Sequence, residues 1–294
     1  MSLFVRLFFQ LLSLLPFAFF HALGSVAAFL LQHVVKYRRA LIEQNIKQAM
    51  PDISETELQK IITAFYRNFA DTFTESIKML TLSPTTLAKR CTMDFEVVNE
   101  LLRKGKSVQM MAAHQFNWEY TSQIIPPAIP APYYFVYRTI QSPAFNQLFL
   151  YLRCKRGGRA VAAEEFLQKR KEIFSEPAAL ILGADQNPSR PANARWMNFF
   201  GKPTPFHPGP AKGAIAHNAA MVMLRLQRKK RGYYHLDAQL ITENAADYSV
   251  DALTWLYKKE AERVILEDPT NYLWSHRRWR HAWNPSYGSI YQGD

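Results

Sequence analysis

Ser107-Val108-Gln109-Met110-Met111-Ala112-Ala113-His114-Gln115-Phe116-Asn117-Trp118-Glu119 is the stretch whose reading decides the fold. Ser107 to Ala113 is short and apolar, as a buried strand is, and it stops abruptly at a histidine. A carboxylate follows five residues on. The carboxyl ends of strands are where open α/β sheets place their ligand crevices. On one continuous helix His114 and Glu119 would point about 140° apart, at roughly 100° per residue, and would not meet. They meet if His114 ends a strand, Gln115 to Asn117 turn, and a helix begins near Trp118 with Asn117 as N-cap. Glu119 would then accept the Nδ1 proton of His114, leaving Nε2 free to take a proton from a hydroxyl. The alternative is a histidine satisfied inside a strand–helix junction. The local sequence leaves both open.

Outward from this stretch, strand-like and helix-like segments alternate. Val108–Ala112, Tyr133–Tyr137 and Ala178–Leu182 read as strands, as do Met221–Gln227 and Tyr234–Leu240, the last two joined by the basic turn Arg228–Gly232. Helices are predicted over Trp118–Ile125, Pro143–Arg153, Ala163–Phe174, Pro210–Asn218 and Asp251–Leu266. Upstream, Tyr37–Met50 reads as a basic amphipathic helix stopped by Pro51. Ser54 and Glu57 form a capping-box pattern at the head of a long helix running towards Leu80, with Ile61, Ile62, Phe65, Phe69 and Phe73 on one stripe. Phe95–Lys104 is a shorter helix closed by Gly105. The expected fold is therefore α/β, a mainly parallel mixed sheet flanked by helices. No repeat and no Gly/Ser-rich linker divides it.

With 294 residues the chain can bury a substantial core, and 48% hydrophobic content with 14% aromatics argues for a globular protein. The formal net charge is +12 and favours an anionic partner: nucleic acid, an acidic carrier protein or an anionic membrane surface. Cys91 and Cys154 form neither a zinc cluster nor a disulfide framework by themselves.

The N-terminus discriminates among these partners. The 26 residues from Leu7 to Gln32 contain no Asp, Glu, Lys or Arg. As one helix they would be roughly 39 Å long, beyond the roughly 30 Å hydrocarbon core of a bilayer. Pro16, His21 and Gly24 interrupt them, so two short segments lying in one leaflet are the alternative. A secretory signal fits less well, because the run exceeds a signal core of about 7–15 residues and Arg6 is a thin basic flank. Lys36, Arg38, Arg39 and Lys47 follow, against the single Glu43, which keeps the next domain cytoplasmic by the positive-inside rule. The expected organisation is a membrane anchor over 1–35 and one α/β domain over 36–294.

The His114–Glu119 run resembles the His-x4-Asp/Glu motif of the glycerolipid acyltransferase superfamily, and Asn117-Trp118-Glu119 especially its lipid A late acyltransferases, the lauroyl and myristoyl transferases. Four further blocks carry the resemblance over most of the chain: Tyr137-Arg138 with Ser142-Pro143; Ala184-Asp185-Gln186-Asn187; Asn198-Phe199-Phe200-Gly201 through Gly209-Pro210; and Trp274-Ser275-His276-Arg277-Arg278-Trp279. The chain departs from the pattern where Asn187-Pro188 follows Gln186, without a second acid, and at Gln115.

The resemblance implies a glycerol-phosphate-acyltransferase-like fold and transfer of a fatty acyl chain from an acyl carrier protein thioester, or acyl-CoA, to a hydroxyl of a phosphorylated glycolipid, a lipid A precursor. It implies His114 and Glu119 as catalytic residues and Arg138, Asp185 and Asn117 at the substrate. Arg138 would grip phosphate, for which a structural salt bridge is the alternative; Asp185 would position substrate, hold Arg138 or serve structure alone. No metal and no cofactor is called for. The place implied is the cytoplasmic face of a bacterial inner membrane. Two other readings stand beside it: a sibling acyltransferase acting on a glycerophospholipid, a phosphatidylinositol mannoside or an amino-acid lipid, and a non-enzymatic membrane-tethered nucleic-acid-binding protein. For the second no binding module is recognisable, and the expectation is no nucleic acid. The clusters Arg153-Cys154-Lys155-Arg156, Arg228–Arg231 and Arg277–Arg280 read most simply as solvated faces.

Overall fold

Val108–Ala112, with its first four residues buried, sits at the middle of a seven-stranded sheet. The computed structural model describes residues 3–293, and side chains from Leu7 on, so the Arg6 flank lies outside the described side chains. In chain order the strands are β1 (Cys91–Asp94), β2 (Val108–Ala112), β3 (Tyr133–Tyr137), β4 (Gly158–Ala162), β5 (Ala179–Gly183), β6 (Arg195–Phe199), β7 (Lys202–Phe206), β8 (Ala220–Lys230) and β9 (Tyr233–Thr242). The helices are α1 (Leu3–Leu12), α2 (Phe17–Phe29), α3 (Arg39–Ala49), α4 (Glu55–Lys78), α5 (Pro84–Arg90), α6 (Glu96–Arg103), α7 (Glu119–Ile124), α8 (Pro143–Cys154), α9 (Phe166–Ile173), α10 (Gly209–Ala216) and α11 (Val250–Glu267).

The sheet order is β1-β9-β8-β2-β5-β3-β4. β8, β2, β5, β3 and β4 run parallel, β9 runs antiparallel to β8, and β1 pairs parallel with β9. A strand between two parallel neighbours and covered on both faces is mostly apolar, and β2 follows that rule except at Gln109. Successive side chains still divide between the faces. Met111 joins the core beneath α3, α10 and α11, while Met110 joins the core beneath α6, α7 and α8. Gln109, the polar residue of the strand, is satisfied by donating to the Pro210 carbonyl at 3.0 Å.

From β2 the chain moves out to β3 and β4; from β5 it crosses to β8 on the other side of β2. The order therefore reverses around β2 and β5, which opens a crevice at their carboxyl ends. Ser54 caps α4, accepting from the Glu57 N–H at 3.2 Å, and Gly105, with φ +77, ends the turn after α6. The predicted helix over 163–174 forms as α9 alone, and two stretches assigned no element from the sequence are strands, Cys91–Asp94 as β1 and Gly158–Ala162 as β4. The Phe-Phe-Gly block is the β6–β7 hairpin, whose turn residues Phe200 and Gly201 have φ +50 and +74, as a two-residue turn between twisted strands requires.

The apolar N-terminus is not one helix. It breaks between α1 and α2 around Pro16, and α2 continues through a π-helical turn at Leu30–Val34. Phe17–Val34 is long and apolar enough to cross a membrane by length and composition alone. Yet α2 is laid along α4. Asp71 is fully buried between Arg228 (2.5 Å) and Arg231 (2.6 Å), and Arg231 also donates to the His21 carbonyl at 2.6 Å and to Ser25 at 2.8 Å. Gly24 makes the approach feasible, since a Cβ there would lie 2.5 Å from Asp71 Oδ1. The opposite side of the two helices exposes Leu11, Leu14, Phe19, Val26 and Phe29. Gly24→Ala is expected to lower the unfolding free energy by about 1–3 kcal/mol through overpacking, measured by denaturant titration in detergent.

Candidate active site

β2 delivers His114 to its carboxyl end, and β5, one strand over, delivers Asp185 to the same level. Pairing of Ala112 with Gly183 sets that register. His114 Nδ1 lies 2.6 Å from Asp185 Oδ1, and the backbone N–H of His114 donates to Oδ2 at 3.0 Å. Asp185 is fully buried and takes a third hydrogen bond from the Tyr272 hydroxyl. With Nδ1–H donating to the carboxylate, Nε2 is the free nitrogen, and the ring is 27% exposed towards a cavity of about 550 Å³.

Gly183 creates the space for this ring. A Cβ there would come within 2.9 Å of His114 Cε1. The Trp118 indole meets the imidazole edge to face at 5.9 Å from the other side. Burial opposes charge on His114, but the negative charge and hydrogen bond of Asp185 outweigh it and raise the pKa above 6.5. Burial likewise opposes the Asp185 carboxylate, and the imidazolium with its hydrogen bonds holds it down at about 2.

The expected His114–Glu119 hydrogen bond is not formed. Glu119 opens α7 and turns towards α8, where its carboxylate is gripped by Arg153, Nε at 2.8 Å and Nη2 at 2.5 Å; Oε1 also accepts from Trp118 Nε1 at 3.0 Å. A side chain in the first turn leans back over the helix start. Here that direction leads to the face carrying α8, whereas Nδ1 points along the sheet towards β5. Glu119 reaches the surroundings of the imidazole through the Trp118 indole that it holds.

Asn117, expected at the substrate and as N-cap, is fully buried and accepts the Glu119 N–H at 3.2 Å, while the N-cap position of α7 falls one residue later, at Trp118. Its amide group faces Thr72 O and Glu75 of α4, both at 3.5 Å. Asp185, expected near substrate or Arg138, is likewise closed off, by His114 and Tyr272. Arg138 is exposed at the end of β3, lines the cavity, and forms no salt bridge among the described residues.

The closing Trp-x-His-Arg-Arg block holds Asn187, two residues after Asp185. His276 Nε2 accepts the Asn187 N–H at 3.1 Å, and burial holds its pKa down at about 4, so it is a neutral acceptor. Arg278 is buried between the Phe199 and Phe206 rings, 5.3 and 4.4 Å from their centroids, and donates to Asn187 Oδ1 at 3.1 Å. Burial lowers its pKa to about 10, which keeps it cationic at neutral pH. Asn187 also donates its amide to the Arg277 carbonyl. An amide both donates and accepts here; an aspartate would lose the donation.

Sequence reasoning missed Arg153, assigned to a solvated cluster. Its neighbours Lys155 and Arg156 are not solvated either, since they donate to the Leu80 and Leu82 carbonyls past the end of α4 at 2.7 and 2.8 Å. Among the described residues no three His, Cys, Asp or Glu side chains converge as a metal-holding group. The arrangement suits removal of a proton from a hydroxyl by Nε2, with the resulting imidazolium stabilised by Asp185.

A model of the bacterial lipid A biosynthesis acyltransferase family matches residues 2–281. A search of curated proteins returns no match to this chain.

A base at His114 would act as neutral imidazole, so activity is expected to fall along an acidic limb as pH drops through a pKa that Asp185 raises from the usual 6.5. Asp185→Asn leaves only burial acting on the ring. The limb is then expected at lower pH, with turnover reduced roughly 10²–10⁴-fold. Glu119→Gln strips a nearly buried guanidinium of its partner and is expected to cost about 3–5 kcal/mol of stability. It should leave the acidic limb in place; a limb that moves with Glu119→Gln and not with Asp185→Asn would reverse the assignment. The pH profile of turnover and thermal unfolding of both variants measure this.

Proposed function

Because this chain belongs to the bacterial lipid A biosynthesis acyltransferase family, we propose that it moves a fatty acyl chain from an acyl carrier protein thioester to a hydroxyl of a lipid A precursor, with His114 as general base. The observation that carries this reading is the His114–Asp185 contact at 2.6 Å beside a cavity large enough for a lipid chain. His114 Nε2 takes the acceptor hydroxyl proton as the oxygen attacks the thioester carbonyl. The tetrahedral intermediate collapses, the C–S bond breaks, and the imidazolium returns the proton to the departing thiolate. An ester and a free carrier thiol result. Asp185 holds the tautomer and stabilises the imidazolium, while Glu119 and Trp118 fix the ring from the opposite side.

Arg138 is the group we assign to an acceptor phosphate. It is exposed, lines the cavity and forms no salt bridge among the described residues, which leaves its guanidinium able to meet a phosphate bidentately. The net charge of +12 suits an acidic carrier and an anionic lipid. The nucleic-acid reading loses support, because Lys155, Arg156, Arg228 and Arg231 are engaged by internal carbonyls and by Asp71.

We assign the membrane seat to residues 1–35 and the chemistry to the α/β domain of residues 36–294, at the cytoplasmic face of the inner membrane. Since α2 lies along α4, with His21 and Ser25 held by Arg231, the reading we favour has the two helices lying in one leaflet, apolar side outward.

Mass spectrometry of lipid A tests the proposal. Cells lacking the gene are expected to make lipid A short of one acyl chain. The wild-type gene should restore it and His114→Ala should not. An unaltered lipid A profile in the deletion would remove the lipid A acceptor and favour a sibling acceptor.

A further inference from the structure

A second cavity, of about 350 Å³, lies between α4 and α8, outside the crevice that holds His114. Phe73, Ile77 and Leu80 form one wall, and Phe145, Leu148 and Phe149 the other. The polar member of the lining, Ser76, spends its hydroxyl on the Thr72 carbonyl at 2.6 Å. Walls of this kind offer nothing to a sugar, a phosphate or an amide, and protein interiors seldom leave such apolar space unfilled. Dry apolar cavities take hydrocarbon.

Two features say where that hydrocarbon comes from. The rim residues Phe73 and Phe145 are 46% and 48% exposed, and Phe145 meets Phe9 of α1 at 6.2 Å between ring centroids. The mouth of the groove thus abuts α1, whose Leu7, Phe8 and Leu11 are exposed apolar side chains. Ile140 lines both this groove and the His114 cavity, so the two adjoin.

We propose that the groove between α4 and α8 receives one hydrocarbon chain of the bilayer-resident acceptor lipid, entering sideways from the membrane and guiding the acceptor hydroxyl towards His114. This rests on the acyl-transfer reading and extends it to a second lipid subsite. The donor chain has separate room. Its carbonyl must sit at His114, and the crevice beneath runs past Phe135 to Tyr133 and Arg153. A donor delivered by a soluble carrier has no need of an opening onto the apolar side of α1, whereas a lipid anchored in the bilayer does. The two cavities thus match the two chains that must be held at once.

Leu148→Trp and Ile77→Trp, which fill the groove from opposite walls, test the assignment. Transfer from an acyl carrier protein thioester is measured to a full-chain lipid A precursor in phospholipid vesicles, and to the same glycolipid stripped of its ester-linked chains. Both variants are expected to raise KM for the full-chain acceptor about tenfold or more, the loss that follows displacing two buried methylenes. kcat/KM for the stripped acceptor and the preferred donor chain length should stay as in the wild type. Equal losses on both acceptors, or a shift in donor chain-length preference, would overturn the assignment. Photolabelling of the wild-type protein by a precursor with a diazirine in its acyl chain gives an answer independent of how the variants fold. Label is expected on peptides of α4 and α8; label confined to α7 and β3 would overturn it. If the wild-type protein transfers nothing to either acceptor, the acyl-transfer reading itself falls, and the groove assignment with it.

Discussion

The contact on which the site depends is one buried carboxylate holding one imidazole across the ends of two parallel strands. Asp185 accepts the ring N–H, the backbone N–H of the same histidine and the Tyr272 hydroxyl, so its lone pairs are largely spoken for without water. A buried carboxylate is costly unless paired and hydrogen-bonded. Here the cost of burial is offset by the imidazole and its backbone N–H. The same constraint reaches into the packing: Gly183 must lack a Cβ for the ring to lie where it does, and β2 and β5 must keep their register.

Behind the catalytic turn a second polar network ties the site to the N-terminal helices. Glu75, fully buried in α4, accepts from the Tyr234 hydroxyl at 3.0 Å, faces the amide of Asn117, and lies 3.3 Å from His21 Nε2. Asn117 in turn accepts the N–H of Glu119, the first residue of α7. The apolar helix α2 and the turn that follows His114 thus share one carboxylate. Polar groups in so closed a place either all find partners or destabilise one another, so the lie of α2 and the shape of the turn are set together.

Much of the fold was legible because it rests on local chemistry. β2 and β3 begin and end where their apolar runs do; the Ser54 cap and the Gly105 stop are backbone devices that need no distant partner. The elements that escaped are those whose identity is conferred by neighbours. β1 has four residues and becomes a strand by pairing with β9, and β4 is a Gly-led pentapeptide made a strand by β3. The β6–β7 turn puts a phenylalanine at positive φ, which its own propensity disfavours and which the Glu262 and Gln48 hydrogen bonds to its backbone support.

The sequence by itself determined that a histidine would stand at the end of a central strand, with a helix starting a few residues later and an apolar, membrane-suited segment ahead of the domain. Periodicity, capping and charge act over a few residues, and so can be read from a few residues. Which carboxylate serves that histidine was decided only by tertiary structure. Glu119 is five residues away along the chain but faces α8, where Arg153 claims it; Asp185 is distant in sequence but adjacent in the sheet. Hydrogen bonds depend on direction and ångström-scale distance, and the direction of a side chain leaving a strand–helix turn is fixed by what the rest of the fold packs around it.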